Sequence, residues 1–259
     1  MSGMFEEKVA LVTGSASGIG RATAIAFARE GAKVCVADVD IQGGEETAQL
    51  IKRAGGNAIF IKCDVSKASD VEAMVQKTVD TYARLDCAFN NAGVGVVVPT
   101  VECTEEQWDL TMNVNLKGVW LCMKYEIPWI AKQGGGAIVN TASAAGLICI
   151  QGHSPYTASK TGVIALTKVA ALDCASAKIR VNAVCPGAVL TPMLEPLKDI
   201  DPIAWNFLQK TTPLGRFAMP EEIAEAVVWL CSDKASYITG VALPVDGGVV
   251  SGLLKQVPG

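Results

Sequence analysis

Val9-Ala10-Leu11-Val12-Thr13 is an unbroken apolar run that ends directly on a glycine-spaced turn, and no other feature constrains the fold as strongly. A strand apolar on both faces must be buried on both faces, which places it in a parallel sheet covered by helices. A helical stretch follows over 18–30, and Gly31 closes it. The unit then recurs. Strand-like runs lie at 33–39, 58–65, 85–90, 137–141, 180–184 and 241–245, separated by helix-like stretches near 42–54, 69–83, 104–132, 156–176 and 220–232. This repetition predicts an α/β fold, a doubly wound parallel β-sheet of the Rossmann type with helices on both faces, in a single domain over 1–259.

Two segments interrupt the rhythm. Residues 191–217 are Pro-rich and carry Met193, Leu194, Leu197, Trp205 and Phe207 with few charges, the pattern of a lid rather than a connector. Residues 144–155 form a loop with Leu147, Ile148 and Ile150 between a strand and a helix.

Composition excludes several classes. The 259 residues are 50% hydrophobic and carry a net charge of −4 with no block of like charge, so no electrostatic footprint for nucleic acid or an anionic membrane exists. No stretch reaches the roughly 18 apolar residues that a membrane span requires. Nine cysteines without Cys-x-x-Cys spacing read as reduced thiols, which predicts a cytoplasmic protein. With a single histidine, His153, a zinc site is not expected.

Thr13-Gly14-Ser15-Ala16-Ser17-Gly18-Ile19-Gly20 joins the first strand to the first helix. Glycines at such a turn let the backbone approach a pyrophosphate seated on the helix N-terminus, which assigns Gly14, Ser17, Gly18, Ile19 and Gly20 to cofactor binding. Asp38 ends the second strand, where a carboxylate accepts the adenosine ribose hydroxyls and repels a 2′-phosphate. Ser17 and Val39 stand where a basic residue could welcome that phosphate. The cofactor expected is therefore NAD.

Tyr156 and Lys160 are four residues apart at the start of a helix and so share one face. An ammonium beside a phenol favours the phenolate, and lowering the tyrosine pKa from about 10 to about 7 takes roughly 4 kcal/mol. Around this pair stand Ser143 after the fifth strand, Asn90-Asn91-Ala92-Gly93 after the fourth, Asn113-Val114-Asn115 in the long helix, Pro186-Gly187 after the sixth strand, and Val245-Asp246-Gly247-Gly248 at the seventh. In this order the motifs resemble the short-chain dehydrogenase/reductase family, over nearly the whole span 8–248.

The resemblance implies a role for each matching position. Tyr156 would be the general acid/base, Lys160 would bind the nicotinamide ribose and depress the tyrosine pKa, and Ser143 would hydrogen-bond the substrate oxygen. Asn115 would hold a water that links Lys160 to solvent. Asp64 and Val65 would contact adenine, Asn90, Asn91 and Gly93 would lie beside the adenosine ribose, and Pro186, Gly187, Val189 and Thr191 would contact the nicotinamide carboxamide. The expected reaction is NAD-dependent hydride transfer to or from a small-molecule secondary alcohol or ketone, hydrophobic or cyclic, in a homotetramer. A 3-oxoacyl-carrier-protein reductase, a glucose-type dehydrogenase and a dinucleotide sensor without turnover are the alternatives. His153, Cys149 and Cys185 read as neighbours of the site rather than catalysts, and Trp108, Trp120 and Trp129 as core or subunit interface. Pro128 is expected to kink or end its helix.

Overall fold

The computed structural model describes residues 3–252. Seven parallel strands form one sheet, β1 (Val9–Thr13), β2 (Lys33–Asp38), β3 (Asn57–Lys62), β4 (Cys87–Asn90), β5 (Gly136–Thr141), β6 (Ile179–Pro186) and β7 (Ala242–Val245), in the order β3-β2-β1-β4-β5-β6-β7. The helices are α1 (Gly18–Arg29), α2 (Ile41–Arg53), α3 (Ala68–Tyr82), α4 (Glu105–Met112), α5 (Gly118–Lys132), α6 (Ser154–Cys174), α7 (Leu197–Ile200), α8 (Pro202–Thr211) and α9 (Pro220–Cys231).

Right-handed β-α-β crossovers explain why the order reverses at β1. From β1 the chain winds outward to β2 and β3, then returns to place β4 on the opposite side. Between β1 and β4 the loops diverge, and in a sheet of this kind the crevice at that switch point is where a ligand sits. β1 alternates its residues between two cores. Val9 and Leu11 pack with α3, α5 and α6, while Ala10 and Val12 pack with α1 and α9. Every residue of β1 is buried, as its unbroken apolar run requires.

The expected fold is present, with four corrections of detail. β3 stops at Lys62, so Asp64 and Val65 lie past its end, not in a strand extending to 65. β6 extends two residues beyond its expected end, to Pro186. The stretch 104–132 is three pieces: α4, a π-helical turn at Asn113–Lys117, and α5. Pro128 does not end α5, which continues to Lys132. Pro128 and Lys124 both lie on the exposed side of α5, so water can take the carbonyl that the proline leaves unpaired.

Trp108 and Trp120 are 41% and 45% exposed and so do not belong to the core. The apolar residues of these helices divide: Val119, Leu121 and Val163 face inward, whereas Leu110, Val169 and Leu172 face outward. No helix among the described residues is long and apolar enough to cross a membrane.

Candidate active site

The glycine turn is tight because its neighbours leave no room for side chains. A Cβ on Gly14, whose φ is +63°, would stand 2.7 Å from Ala92 Cα, and one on Gly20 would overlap the Gly14 carbonyl oxygen. Gly18 lies under Thr191, whose Cγ2 would be 3.1 Å from a Cβ there. Ser17 is the N-cap of α1 and is exposed, and its side chain makes no capping bond. The helix N-terminus thus opens into the crevice with unpaired N–H groups and a free hydroxyl. A pyrophosphate fits this cradle by charge and by shape.

Asp38 leaves β2 beside the turn. Its Oδ2 accepts a hydrogen bond from Ala16 N at 2.8 Å, and its Oδ1 accepts one from Asp40 N at 3.0 Å. These bonds aim the carboxylate along the edge of the crevice. Val39, next to it, is 58% exposed and offers no cation. Asn91 closes the floor between the two central strands: its Nδ2 donates to Thr13 O at 3.2 Å and to Gly14 O at 3.1 Å. Its Oδ1 accepts from Thr141 Oγ1 at 3.3 Å.

On the far side of the crevice, Lys160 is 3% exposed and its Nζ donates to the Thr141 carbonyl at 2.7 Å. Burial lowers its pKa to about 8. Tyr156 lies one turn earlier on α6, with Lys160 Nζ 5.7 Å from its ring centre. Burial pushes the phenol above its ordinary value, and a hydrogen bond with Ser143 works in the opposite direction. Desolvation is therefore the larger influence on the phenol. Ser143 precedes a short turn, and its Oγ also accepts from Ala145 N at 3.1 Å.

Asn115 is fully buried in the π-turn. Its Oδ1 accepts from Val94 N at 2.8 Å, and its Nδ2 donates to Val94 O at 2.9 Å and Ser159 Oγ at 3.3 Å. Both hydrogens of the amide are thus in use, which leaves the second lone pair of Oδ1 for a further donor. Gly93 sits above, where a Cβ would meet Asn115 Oδ1 at 3.3 Å and Lys160 Nζ at 3.5 Å. The glycine keeps this corner open.

The remaining sequence candidates lie at or just past the ends of β3, β4 and β6, and one of their side chains turns into the sheet interior. Pro186 ends β6, and Gly187 packs so closely on Asp246 that a Cβ would lie 2.9 Å from its Cα. Val189 is buried, and Thr191 Oγ1 donates to Val189 O at 3.3 Å. Asp64 is held below the usual carboxylate range, chiefly by the hydroxyl of Ser66. Val65 packs against Gly118. Asn90 is that residue: it is 1% exposed and its side chain turns inward, donating to Glu126 Oε2 at 3.1 Å and Asn140 Oδ1 at 3.0 Å. Its side chain is a strand tie, not a group facing a ribose.

Three groups escaped the sequence reading. The Thr141 carbonyl is invisible because backbone acceptors carry no sequence signature. Thr13 Oγ1 accepts from Asn91 N at 3.0 Å, a bond that depends on the β1–β4 pairing. Glu126 did carry a signal, since an acid stands in the apolar series Val119, Cys122, Met123, Ile130 at helical spacing. His153 is placed by Nδ1, 2.9 Å from Gln151 O, with its ring centre 6.3 Å from that of Tyr156. Cys185 is buried, and Cys149 is exposed.

Residues 14–250 match the family described as enoyl-(acyl carrier protein) reductase. The chain is 43% identical over 252 residues to cyclohexanol dehydrogenase of Acinetobacter sp. (strain SE19), covering 97% of this chain and 98% of that protein. It is 40% identical over 245 residues to a 3-oxoacyl-[acyl-carrier-protein] reductase of Thermotoga maritima, covering 95% and 98%. The crystal structure of levodione reductase superposes with a TM-score of 0.92 at 37% identity, covering 96% of this chain and 99% of that one. These similarities cover nearly the whole chain, and it belongs to the short-chain dehydrogenase/reductase family, as an oxidoreductase that works with a nicotinamide dinucleotide.

Proposed function

We propose that this enzyme interconverts a hydrophobic, cyclic secondary alcohol and its ketone, with NAD as the hydride acceptor. The observation that carries the reading is the convergence of Ser143, Tyr156 and Lys160 on the crevice whose other end is edged by Asp38. NAD, when bound, takes the hydride in oxidation and returns it in reduction.

The chain's own residues have distinct tasks in this reading. Tyr156 Oη takes the alcohol proton, or gives a proton to the carbonyl oxygen. Ser143 holds that same oxygen and the phenol. Lys160, fixed on the Thr141 carbonyl, stands at the nicotinamide ribose and supplies positive charge that favours the phenolate. Asn115 anchors the wall formed by Val94 and α6, and a water on the route from Lys160 would be held there.

At the ribose end, Asp38 would accept the adenosine hydroxyls, and its charge would oppose a 2′-phosphate. This favours NAD over NADP and speaks against an NADPH-linked acyl-carrier-protein reductase, although one relative bears such a name. Asp64, Val65, Asn91, Gly93, Pro186, Gly187, Val189 and Thr191 line the rest of the cofactor path, with Asn90 acting through backbone.

The substrate end is apolar. Leu147, Ile148 and Ile150 are each about two-fifths exposed, and Met193 is 62% exposed. Met193 Sδ would be 3.8 Å from a Cβ on Gly95, so segment 191–217 reaches the loop after β4 and is suited to act as a lid. Trp205 and Phe217, with ring centres 4.5 Å apart, join its two halves. Apolar burial is worth about 25 cal/mol per Å², so a ring gains several kcal/mol where a sugar would strand its hydroxyls.

The outward apolar faces of α4, α5 and α6 support a homotetramer. Nine free thiols, seven of them buried, suit the reducing cytoplasm. The test is NADH formation from a panel of cyclic alcohols, acyl thioesters and sugars. Activity confined to sugars, or to acyl thioesters with NADPH, would refute the reading.

A further inference from the structure

Glu126 lies on the inner face of α5 and is completely buried. It has no salt-bridge partner among the described residues. Its Oε2 accepts a single hydrogen bond, from Asn90 Nδ2 at 3.1 Å, and its Oε1 has no protein partner. Asn90 Nδ2 also donates to Asn140 Oδ1 at 3.0 Å, its register partner on β5. Asn140 Nδ2 in turn donates to Thr167 Oγ1 on α6 at 3.0 Å. One line of side chains therefore crosses α5, β4, β5 and α6.

This line runs one residue behind the site. Asn91 follows Asn90 and carries the glycine turn, and Thr141 follows Asn140 and carries Lys160. An ionised carboxylate with one N–H donor and no cation would cost several kcal/mol in such surroundings, whereas the neutral acid needs far less. We propose that Glu126 is a positioning residue, kept as a neutral acid, that fixes Asn90 and through it the ends of β4 and β5 bearing the dinucleotide floor and the Lys160 carbonyl. The proposal rests on the reading of that floor given under Proposed function.

Burial raises the Glu126 pKa to about 8. The titratable groups near it are Cys63, raised to about 12, and Cys122 on α5, raised well above its ordinary value. Both thiols stay neutral at pH 8, and Asn90, Asn140, Met123 and Thr167 do not titrate. Within the cluster Glu126 alone changes charge there. Its folded pKa lies above the unfolded 4.5, so stability from the bound proton is present below 4.5 and is lost as pH rises toward about 8. Above that pH the carboxylate should draw water or shift α5, loosening Asn90.

The test compares wild type with Glu126→Gln, which keeps the shape and the acceptor but cannot ionise. Thermal unfolding and NADH binding, followed by fluorescence without substrate, are measured on both sides of pH 8. Wild type should lose melting temperature up to that pH and lose NADH affinity severalfold beyond it. Glu126→Gln should keep the neutral-pH affinity and flatten both profiles. Lys160 titrates in the same range in both proteins, so the difference between them is the readout. Parallel profiles would overturn the proposal, as would a Glu126→Gln protein whose affinity is already low at neutral pH. Should the variant not fold, infrared difference spectra of wild type decide: a buried protonated-carboxyl band that vanishes through pH 8 supports the proposal, and its absence refutes it. If wild type binds no NADH at all, the functional reading fails first, and the unfolding profile still judges the protonation of Glu126.

Discussion

Lys160 Nζ donates a 2.7 Å hydrogen bond to the backbone carbonyl of Thr141, so its hydrogen-bond partner is a neutral dipole rather than an anion. The geometry holds a charge where function wants it and stability does not. Lowering the lysine pKa from 10.5 to about 8 corresponds to roughly 3 kcal/mol. The sign is opposite to that of a paired lysine: the unfolded chain binds the proton more tightly, so stability rises as pH climbs from about 8 toward 10.5. Lys160→Met should therefore raise the melting temperature at neutral pH while weakening NADH binding and removing most turnover. A lower melting temperature with binding intact would contradict this account.

Tyr156→Phe removes only the transferable proton. It should leave NADH affinity nearly unchanged and lower kcat by about a hundredfold or more. Stopped-flow binding and steady-state rates separate the two effects.

The hydrogen bond with Ser143 holds the Tyr156 phenol lower than burial alone would. Ser143→Ala should therefore displace the pH limb of alcohol oxidation toward alkaline values, besides lowering kcat. In the proposed mechanism the ionised phenol is the base, so a limb that moves to lower pH would have the wrong sign.

In the proposed reading Asp38 and Val39 set the cofactor choice. Wild type should favour NAD over NADP at least about tenfold in kcat/KM, or roughly 1.4 kcal/mol. Replacing Asp38 with Ser and Val39 with Arg should narrow or invert that ratio, as initial rates with both dinucleotides would show.

The architecture was legible because burial writes itself into periodicity. β1 reads as five apolar residues in a row, and the glycine turn after it leaves no other use for its spacing. Tyr156 and Lys160 were legible because four residues on a helix bring them to one face. What escaped depended on contacts distant in sequence. The inward turn of Asn90 depends on Glu126 and Asn140, the hydrogen bonds of Asn115 depend on Val94 and Ser159, and both sets meet only after the sheet assembles. A nearby ammonium can be seen in a sequence, whereas the desolvation that raises the tyrosine pKa cannot. The π-turn at Asn113–Lys117 has no periodicity that separates it from an α-helix.

Trp120 and Val169 are exposed at the edge of a groove between α5 and α6, which Met112, Leu116 and Leu166 also line. Charged replacements there, such as Val169→Glu, should dissociate the proposed homotetramer in light scattering without unfolding the protomer. A wild type that is monomeric at micromolar concentration would refute the assembly.

Initial rates of NADH formation, with cyclic secondary alcohols set against glucose and polyols, test the central claim most directly. The apolar wall of Leu147, Ile148, Ile150 and Met193, together with Asp38 at the ribose end, predicts the highest kcat/KM for a cyclic alcohol with NAD, and loss of that rate in Tyr156→Phe. Strong oxidation of glucose with no turnover of any cyclic alcohol, or a cyclic-alcohol rate that survives Tyr156→Phe, would contradict it.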